Sequence, residues 1–534
     1  MIRQKIIKLI QKATGEKEVR VEHPEEKAHG DYSTNIALQL KKDPKEIVAK
    51  LKSDLFEKVE VAEPGFINFF ISPDYLQKQV EKIIKEKEKY GQFGTGKEKR
   101  VNLEFISANP TGSLHIGNGR NAFAGDVLAN VLEKAGYKVV REYYINDAKN
   151  SKQIIELGKT VVGEGTSYLN DYLRLKIKNF TPLDMKLSNR ARKSKIKNTI
   201  QKFKNRENIY SEAGYLMAQE IQKDNKDFIE DKLKIKFDKW ISEEDFYKKN
   251  KIKKIFNWLK KKNLVYEKDG AWWLKTSQFG DKRDWVVVRE TGEPTYLLSD
   301  IAYHKDKFDR GFDKVINIWG ADHQAHVSKM RAAAKVLGFK GELDILILQL
   351  VTLRGKGKIS KRTGRIITLE ELIEEIGLDV ARWFYLQKSL DTHMEIDLKL
   401  AKEQSEKNPV YYVQYAHARI CSIIKKSKIK NQKSKIQIKN QKLKLLQHPS
   451  ELTLIKQLIY FPEVVEDIAR DYQVQRLPQY ATDLAVAFHQ FYRDCKVLAE
   501  GRPPQEARLA LVLAAKIVLK NTLDLMGVSA PEKM

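Results

Sequence analysis

The turn from Asn109 to Asn118, reading NPTGSLHIGN, places residues able to hold a phosphate just ahead of a helical pattern. A helix N-terminus offers unpaired N–H groups and the positive end of the helix dipole, which suits an anion. Gly112, Gly117 and Gly119 let backbone approach a ligand closely, and His115 adds a donor able to follow charge that builds on a phosphate oxygen during transfer. Spacing alone leaves a second reading, a buried turn histidine, equally open. Far downstream, LRGKGKISKRTG from Leu353 to Gly364 forms another cluster. Its glycines permit movement, Lys358 and Lys361 supply charge and Ser360 a hydroxyl, so the loop can close over a triphosphate.

The elements around the first turn follow from periodicity. Residues 101–107, VNLEFIS, alternate and end at a Pro-Gly turn, as a strand does. Phe123, Val127, Val131 and Ala135 recur every four residues, Leu128 and Leu132 widen the stripe, and Gly136 stands at the C-cap position of a helix. A second strand is predicted from Lys138 to Ile145. Strand, helix and strand make a βαβ unit of parallel, right-handed sense, and the turn lies at the carboxyl edge of its sheet, where open α/β folds bind ligands.

TGSLHIGN is similar to the HIGH signature of class I aminoacyl-tRNA synthetases. The flanks SANPTG and EYYINDA resemble the arginyl-tRNA synthetases, and KISKR is similar to the class signature KMSKS, with Ile359 and Arg362 as variants. This implies an α/β, Rossmann-like catalytic domain, with a small α+β N-terminal domain and an all-α C-terminal anticodon-binding domain. The reaction implied is ligation of L-arginine to tRNA(Arg) at the expense of ATP carrying Mg2+. Gly112, His115, Gly117, Asn118, Lys358, Ser360 and Lys361 then fall to ATP, with His115, Asn118, Lys358 and Lys361 as the catalytic set. Asn118 departs from the family pattern, which has a second histidine there; an amide still donates a hydrogen bond but carries no charge. The resemblance further implies that tRNA must be bound for activation.

A guanidinium is planar and permanently charged, so a selective pocket needs carboxylates in a partly dry site and aromatic faces to stack on it. Tyr296 and Asp300, four apart in PTYLLSDIAYH, share a face if that segment is helical. By resemblance Asn109, Tyr296 and Asp300 line the arginine pocket. Glu104 and Asp322 are further candidates, Asp322 fitting equally near the amino group or a ribose. WGADHQAH lacks the third and fourth ligands of a structural metal site, and none is expected.

The 534 residues carry a formal charge of +27, with 42% hydrophobic and 32% charged residues, as in a multidomain globular protein. No apolar run is long enough for a membrane span. The lysine-rich N-terminus lacks the apolar core of a secretion signal. The two cysteines, Cys421 and Cys495, lack metal-ligand spacing and fit a reducing cytoplasm. Residues 174–206 hold twelve Lys or Arg against one acid, and residues 425–444 nine Lys against none, leaving +7 for the rest of the chain. Both stretches contain KSKIKN and read as solvated insertions.

Three domains are expected: a tRNA-contacting unit over 1–75, the catalytic domain over 96–395, and the helical anticodon-binding domain over 400–534. In the last, aromatic and basic residues interleave through YYVQYAHAR and FHQFYRD. RNA-loop readers stack bases on such rings, although helical bundles also bury them. Tyr415 and Arg493 lead the candidates for tRNA contact. A monomer is expected. Two rival readings remain: another class I synthetase, where the cysteinyl type is opposed by the missing zinc cysteines and the tryptophanyl type by its usually shorter chain without this N-terminal unit, and a non-catalytic tRNA-binding paralogue, which Asn118 favours and the intact KISKR opposes.

Overall fold

The computed structural model describes residues 1–179, 206–354, 367–427, 440–498 and 504–534. These form two compact units, Met1–Gly94 with Lys402–Met534, and Thr95–Ala401. The basic stretches 180–205 and 428–439, and the loop 355–366 with Lys358, Ser360 and Lys361, lie outside the described residues. No described helix is long and apolar enough to cross a membrane.

The chain opens with an amphipathic helix α1 (Ile2–Thr14), whose Ile2, Ile6 and Ile10 are buried at helical spacing. Strands β1 (Tyr32–Thr34), β2 (Phe56–Ala62) and β3 (Phe66–Ile71) form an antiparallel sheet in the order β1-β3-β2. GDYSTNIA therefore supplies an edge strand before its short helix begins at Ile36, because Tyr32 to Thr34 pair with Ile67 to Phe69. Helix α2 (Pro73–Glu86) starts at Ser72, whose hydroxyl accepts from the Tyr75 N–H.

In the second unit a five-stranded parallel sheet runs β11 (Glu342–Leu348), β10 (Lys314–Gly320), β4 (Arg100–Glu104), β5 (Lys138–Ile145), β6 (Lys239–Ser242). Strand β4 (Arg100–Glu104) leads into helix α3 (Ile116–Lys134) and strand β5 (Lys138–Ile145), the predicted βαβ unit. β4 is shorter than the alternation suggested. Residues 101–106 are all buried, and Ile106 and Ser107, at φ 66° and 41°, turn the chain away. Next come helices α4 (Lys152–Val162) and α5 (Arg206–Asp227) and strand β6 (Lys239–Ser242). α4 and α5 touch backbone to backbone: a Cβ on Gly158 would lie 1.7 Å from the Tyr210 carbonyl oxygen. Gly158→Ala should therefore lower stability by about 1–3 kcal/mol, read as a lower Tm; an unchanged Tm would rule out this close approach.

Helix α6 (Lys251–Lys261) precedes a three-stranded antiparallel sheet of β7 (Val265–Lys268), β8 (Ala271–Leu274) and β9 (Trp285–Val288). The chain then makes helix α7 (Tyr296–Asp309), strand β10 (Lys314–Gly320), helix α8 (Val327–Val336) and strand β11 (Glu342–Leu348). A small parallel pair, β12 (Val351–Leu353) with β13 (Met394–Ile396), encloses helices α9 (Leu369–Ile376) and α10 (Leu378–Leu386) in sequence.

The first unit resumes as a helical bundle of α11 (Pro409–Lys426), α12 (Pro449–Asp471), α13 (Arg476–Asp494) and α14 (Gln505–Met526). The N-terminal and C-terminal segments, expected as separate domains, share this unit. Arg3 bonds both oxygens of Asp467 at 2.8 and 2.9 Å. The buried Glu463 carboxylate accepts from the Arg3 N–H and the Tyr32 hydroxyl and contacts His23.

Candidate active site

His115 is the N-cap of α3. Its Nδ1 accepts the Gly117 N–H at 3.0 Å, while the Asn118 side-chain oxygen accepts the His115 N–H at 2.9 Å. The pair is a capping box, and it settles the histidine's form: Nδ1 must be unprotonated to accept, leaving Nε2–H as the donor. Desolvation in the turn also lowers the imidazole pKa, although the residue remains exposed. Gly117 is required because a Cβ there would sit 2.8 Å from the ring's Cε1. The turn is held from outside by Asn225, whose amide donates to the Gly112 carbonyl at 3.2 Å.

The described segment that follows the lysine-rich stretch meets this turn, and the one that precedes it meets α3. Beyond it, Thr368 forms an antiparallel bridge with His115, the Leu369 N–H donates to the Leu114 carbonyl at 2.9 Å, and Ile116 donates to Ile367. Before it, β12 packs against α3, where the buried Arg120 donates to the carbonyls of Gln349, Ser389 and Thr392. Lys358, Ser360 and Lys361 themselves lie outside the described residues, but the segments that lead into and out of their loop meet α3 near His115.

The pocket candidates occupy ends of neighbouring elements. Tyr296 and Asp300 share one face of α7: the Asp300 carboxylate bonds His326 Nε2 at 2.8 Å, and the Tyr296 ring lies 5.4 Å from the same imidazole. Tyr296 is 64% exposed, so its ring face is open to a ligand. Asn109 is exposed in the signature turn. Asp322 is exposed beside His323, at 3.6 Å, in the 3-10 turn after β10.

Glu104 departs from its expected role of reaching the guanidinium. Its carboxylate is buried, accepting from Lys307 Nζ at 2.5 Å and from the Ser107 hydroxyl at 2.9 Å, so both oxygens are already engaged. It belongs to a chain of bonds under the site. Lys307 donates to Asn317 at 2.8 Å, the Asn317 amide meets His304 Nε2 at 2.7 Å, and His304 Nδ1 meets the Asp300 carbonyl at 2.8 Å. A carbonyl only accepts, so His304 carries its proton on Nδ1 and is neutral, its pKa pushed down to about 3 chiefly by burial. This network couples the backbone of the signature strand to that of Asp300, which fixes the pocket before ligand arrives.

Glu243, which carries no motif of its own, joins the site by proximity. It follows β6, and burial, with the charges of Asp300 and Asp147, pushes its carboxyl from 4.5 up to about 8. The Tyr144 phenol is raised by burial and then by the charges of Glu243, Asp300 and Glu104; its buried hydroxyl has no hydrogen-bond partner among the described residues. Carboxylates near enough for the charge of one to raise the other favour a cation with several N–H donors beside them. The adjacent SEED run was the available signal, but nothing in its spacing links it to Asp300.

In the helical bundle Tyr415 of α11 is 41% exposed. It stacks near His489 of α13, with centroids 6.1 Å apart. Arg493 lies four residues after His489 on the same helix face, held by Gln490 and Asp494. Arg419 packs 4.8 Å from the Tyr492 ring.

Comparison with known proteins bears on the family and the fold. Family models match residues 1–71 (arginyl tRNA synthetase N terminal domain), 79–420 (tRNA synthetases class I (R), catalytic domain) and 413–534 (DALR anticodon binding domain). The chain is 43% identical to the arginine–tRNA ligase of Carboxydothermus hydrogenoformans, covering 96% of this chain and 94% of that protein. It is 42% identical to that of Bacillus subtilis, covering 97% and 94%. The Thermus thermophilus arginyl-tRNA synthetase structure shares the fold, with a TM-score of 0.79 at 20% identity over 100% of both chains. With its catalytic and flanking domains all matched, the chain belongs to the arginyl-tRNA synthetases.

Proposed function

We propose that the site activates L-arginine with ATP and passes it to tRNA(Arg), with roles divided as follows. An arginine carboxylate oxygen attacks the α-phosphorus and pyrophosphate leaves; the terminal ribose hydroxyl of tRNA then attacks the adenylate carbonyl and AMP leaves. The chain supplies position and charge rather than covalent chemistry. His115 Nε2–H and the N-terminal amides of α3, beside Gly112 and Gly117, receive the phosphates, with Asn118 fixing the cap. Lys358, Ser360 and Lys361 close over the departing pyrophosphate, and Mg2+ enters on ATP. Asp300 and Glu243 take the guanidinium, Tyr296 stacks on it and Asn109 holds the amino-acid end. Glu104 lies beneath, and Asp322 stands at the rim. Tyr415 and Arg493 contact tRNA. The buried free thiols of Cys421 and Cys495 suit a reducing cytoplasm.

The observation that carries this reading is one face of α7, where the exposed Tyr296 ring and the Asp300 carboxylate stand together against His326, an aromatic surface beside a carboxylate as a guanidinium requires. Amino-acid-dependent pyrophosphate exchange, run across all amino acids with and without tRNA, tests it; exchange with an amino acid other than arginine would refute it. The pH dependence is a second check. Because the folded value of Glu243 lies above the unfolded one, the free chain loses stability as pH rises from 4.5 through about 8. A bound guanidinium favours the ionised form. KM for arginine should therefore fall as pH rises toward 8, by up to about tenfold per pH unit, then level off, and Glu243→Gln should flatten the profile. A wild-type profile that is already flat would remove Glu243 from the pocket.

A further inference from the structure

The signature strand ends in a kink made without glycine. Ile106 and Ser107 stand at φ 66° and 41°, a left-handed conformation that a β-branched residue adopts only where its surroundings impose it. The Ile106 side chain is buried, so it stays in the core while its backbone turns. The Ile106 N–H donates to Asn121 Oδ1 at 2.9 Å, and Asn121 Nδ2 donates to the Ile318 carbonyl at 3.0 Å. Past the kink, the Asn146 amide donates to the Ser107 carbonyl at 3.2 Å, and the Tyr143 hydroxyl accepts the Ala108 N–H at 3.1 Å.

Asn121, on α3, stands where the sheet would otherwise continue. Strands β4 and β10 pair in register from Val101 with Lys314 to Glu104 with Asn317. One further pair would set Phe105 against Ile318, and the next rung of that parallel ladder would join the Ile106 N–H to the Ile318 carbonyl. The Asn121 amide occupies this rung. Its oxygen takes the donor and its nitrogen serves the acceptor, so both backbone groups stay satisfied while the strands part. In the sheet, β5 and β6 lie beyond β4, and β11 lies beyond β10, so chain order reverses between β4 and β10. Open α/β sheets bind ligands at that reversal.

We propose that Asn121 is a positioning residue: it wedges β4 from β10, holds Ile106 in its strained conformation, and thereby aims Asn109 at the amino-acid end of arginine. This rests on the role given to Asn109 above. Without the amide, a buried N–H and a buried carbonyl would lack partners, and the relief is to close the rung. Closure returns Ile106 to extended backbone and draws the segment from Ser107 to Asn109 toward β10.

The test is pyrophosphate exchange, with tRNA present, and melting of the full chain carrying Asn121→Ala, Ile106→Gly, Ile106→Ala or the pair Asn121→Ala/Ile106→Gly. Asn121→Ala should lower kcat/KM for arginine by about 10- to 100-fold, the effect of moving a substrate-holding group by about 1 Å, with KM for ATP within about threefold. Glycine adopts a φ of 66° without strain. Adding Ile106→Gly to Asn121→Ala should therefore recover most of the loss toward arginine while Tm stays low, because the rung is still unpaired and a buried side chain has gone. A merely structural role predicts the opposite: the second substitution would lower kcat/KM further along with Tm, which would overturn the proposal. Equal losses for arginine and ATP in Asn121→Ala would overturn it also. If Asn121→Ala does not fold, the Ile106 variants decide. Ile106→Gly melting above Ile106→Ala supports the imposed kink, and the reverse order, which relaxed backbone gives, overturns it. Absence of arginine-dependent exchange in the wild-type chain would defeat the reading beneath the proposal instead, and is recognised without any variant.

Discussion

Asp300→Asn should lower kcat/KM for arginine by about 100- to 1000-fold while leaving KM for ATP within a factor of about three, because it removes the carboxylate proposed to face the guanidinium, and losing one partner of a buried charge pair costs about 2–5 kcal/mol. The substitution isolates charge from shape. Asn keeps an oxygen that can still accept from His326 Nε2–H, now made at 2.8 Å, so the imidazole and the Tyr296 ring beside it need not move. The backbone of Asp300 stays pinned through His304 and Asn317 to Lys307 and Glu104. Loss of the charge also relieves Glu243, whose carboxyl is raised partly by Asp300, so that group should titrate lower in the variant. The arginine pH profile then shifts to lower pH as KM rises, a signature that general destabilisation would not produce. Steady-state exchange kinetics with varied arginine, together with a melting curve, decides it; equal losses for arginine and ATP would show that Asp300 does not contact the guanidinium.

Asp300 and Tyr296 were legible because one helix presents them four residues apart, and helical spacing survives in sequence. The βαβ unit around His115 was legible for a similar reason: its periodic stripe and turn residues are local. β4 misled at its end, since polar Asn102 and Glu104 imitate the alternation of a half-solvated strand although both are buried and Glu104 is paired with Lys307. Glu243 stayed hidden because the charge of Asp300 reaches it through space, from α7 to the end of β6, which no local pattern records. The joining of the two chain ends was hidden likewise, because Arg3 meets Asp467 far along the chain.

His115→Asn separates the two tasks of the signature histidine. Asn is among the best N-cap residues, so its side chain can take the Gly117 N–H that Nδ1 now accepts at 3.0 Å, and the first turn of α3 should persist. What disappears is the outward Nε2–H. A donor aimed at charge developing on phosphate contributes about 100- to 1000-fold in kcat, so His115→Asn should lose that much in arginine-dependent exchange with Tm nearly unchanged. Asn118→Ala does the converse: it leaves the imidazole in place but removes the oxygen that accepts the His115 N–H at 2.9 Å, costing about 1 kcal/mol of stability. Its effect on kcat should be the smaller, since the bridge from His115 to Thr368 still holds the turn against the end of the lysine-rich loop. The order of the two losses is the decisive result. If Asn118→Ala lowers kcat more than His115→Asn does, the amide rather than the imidazole meets the phosphates, and the residue that departs from the family signature carries the chemistry assigned to its neighbour.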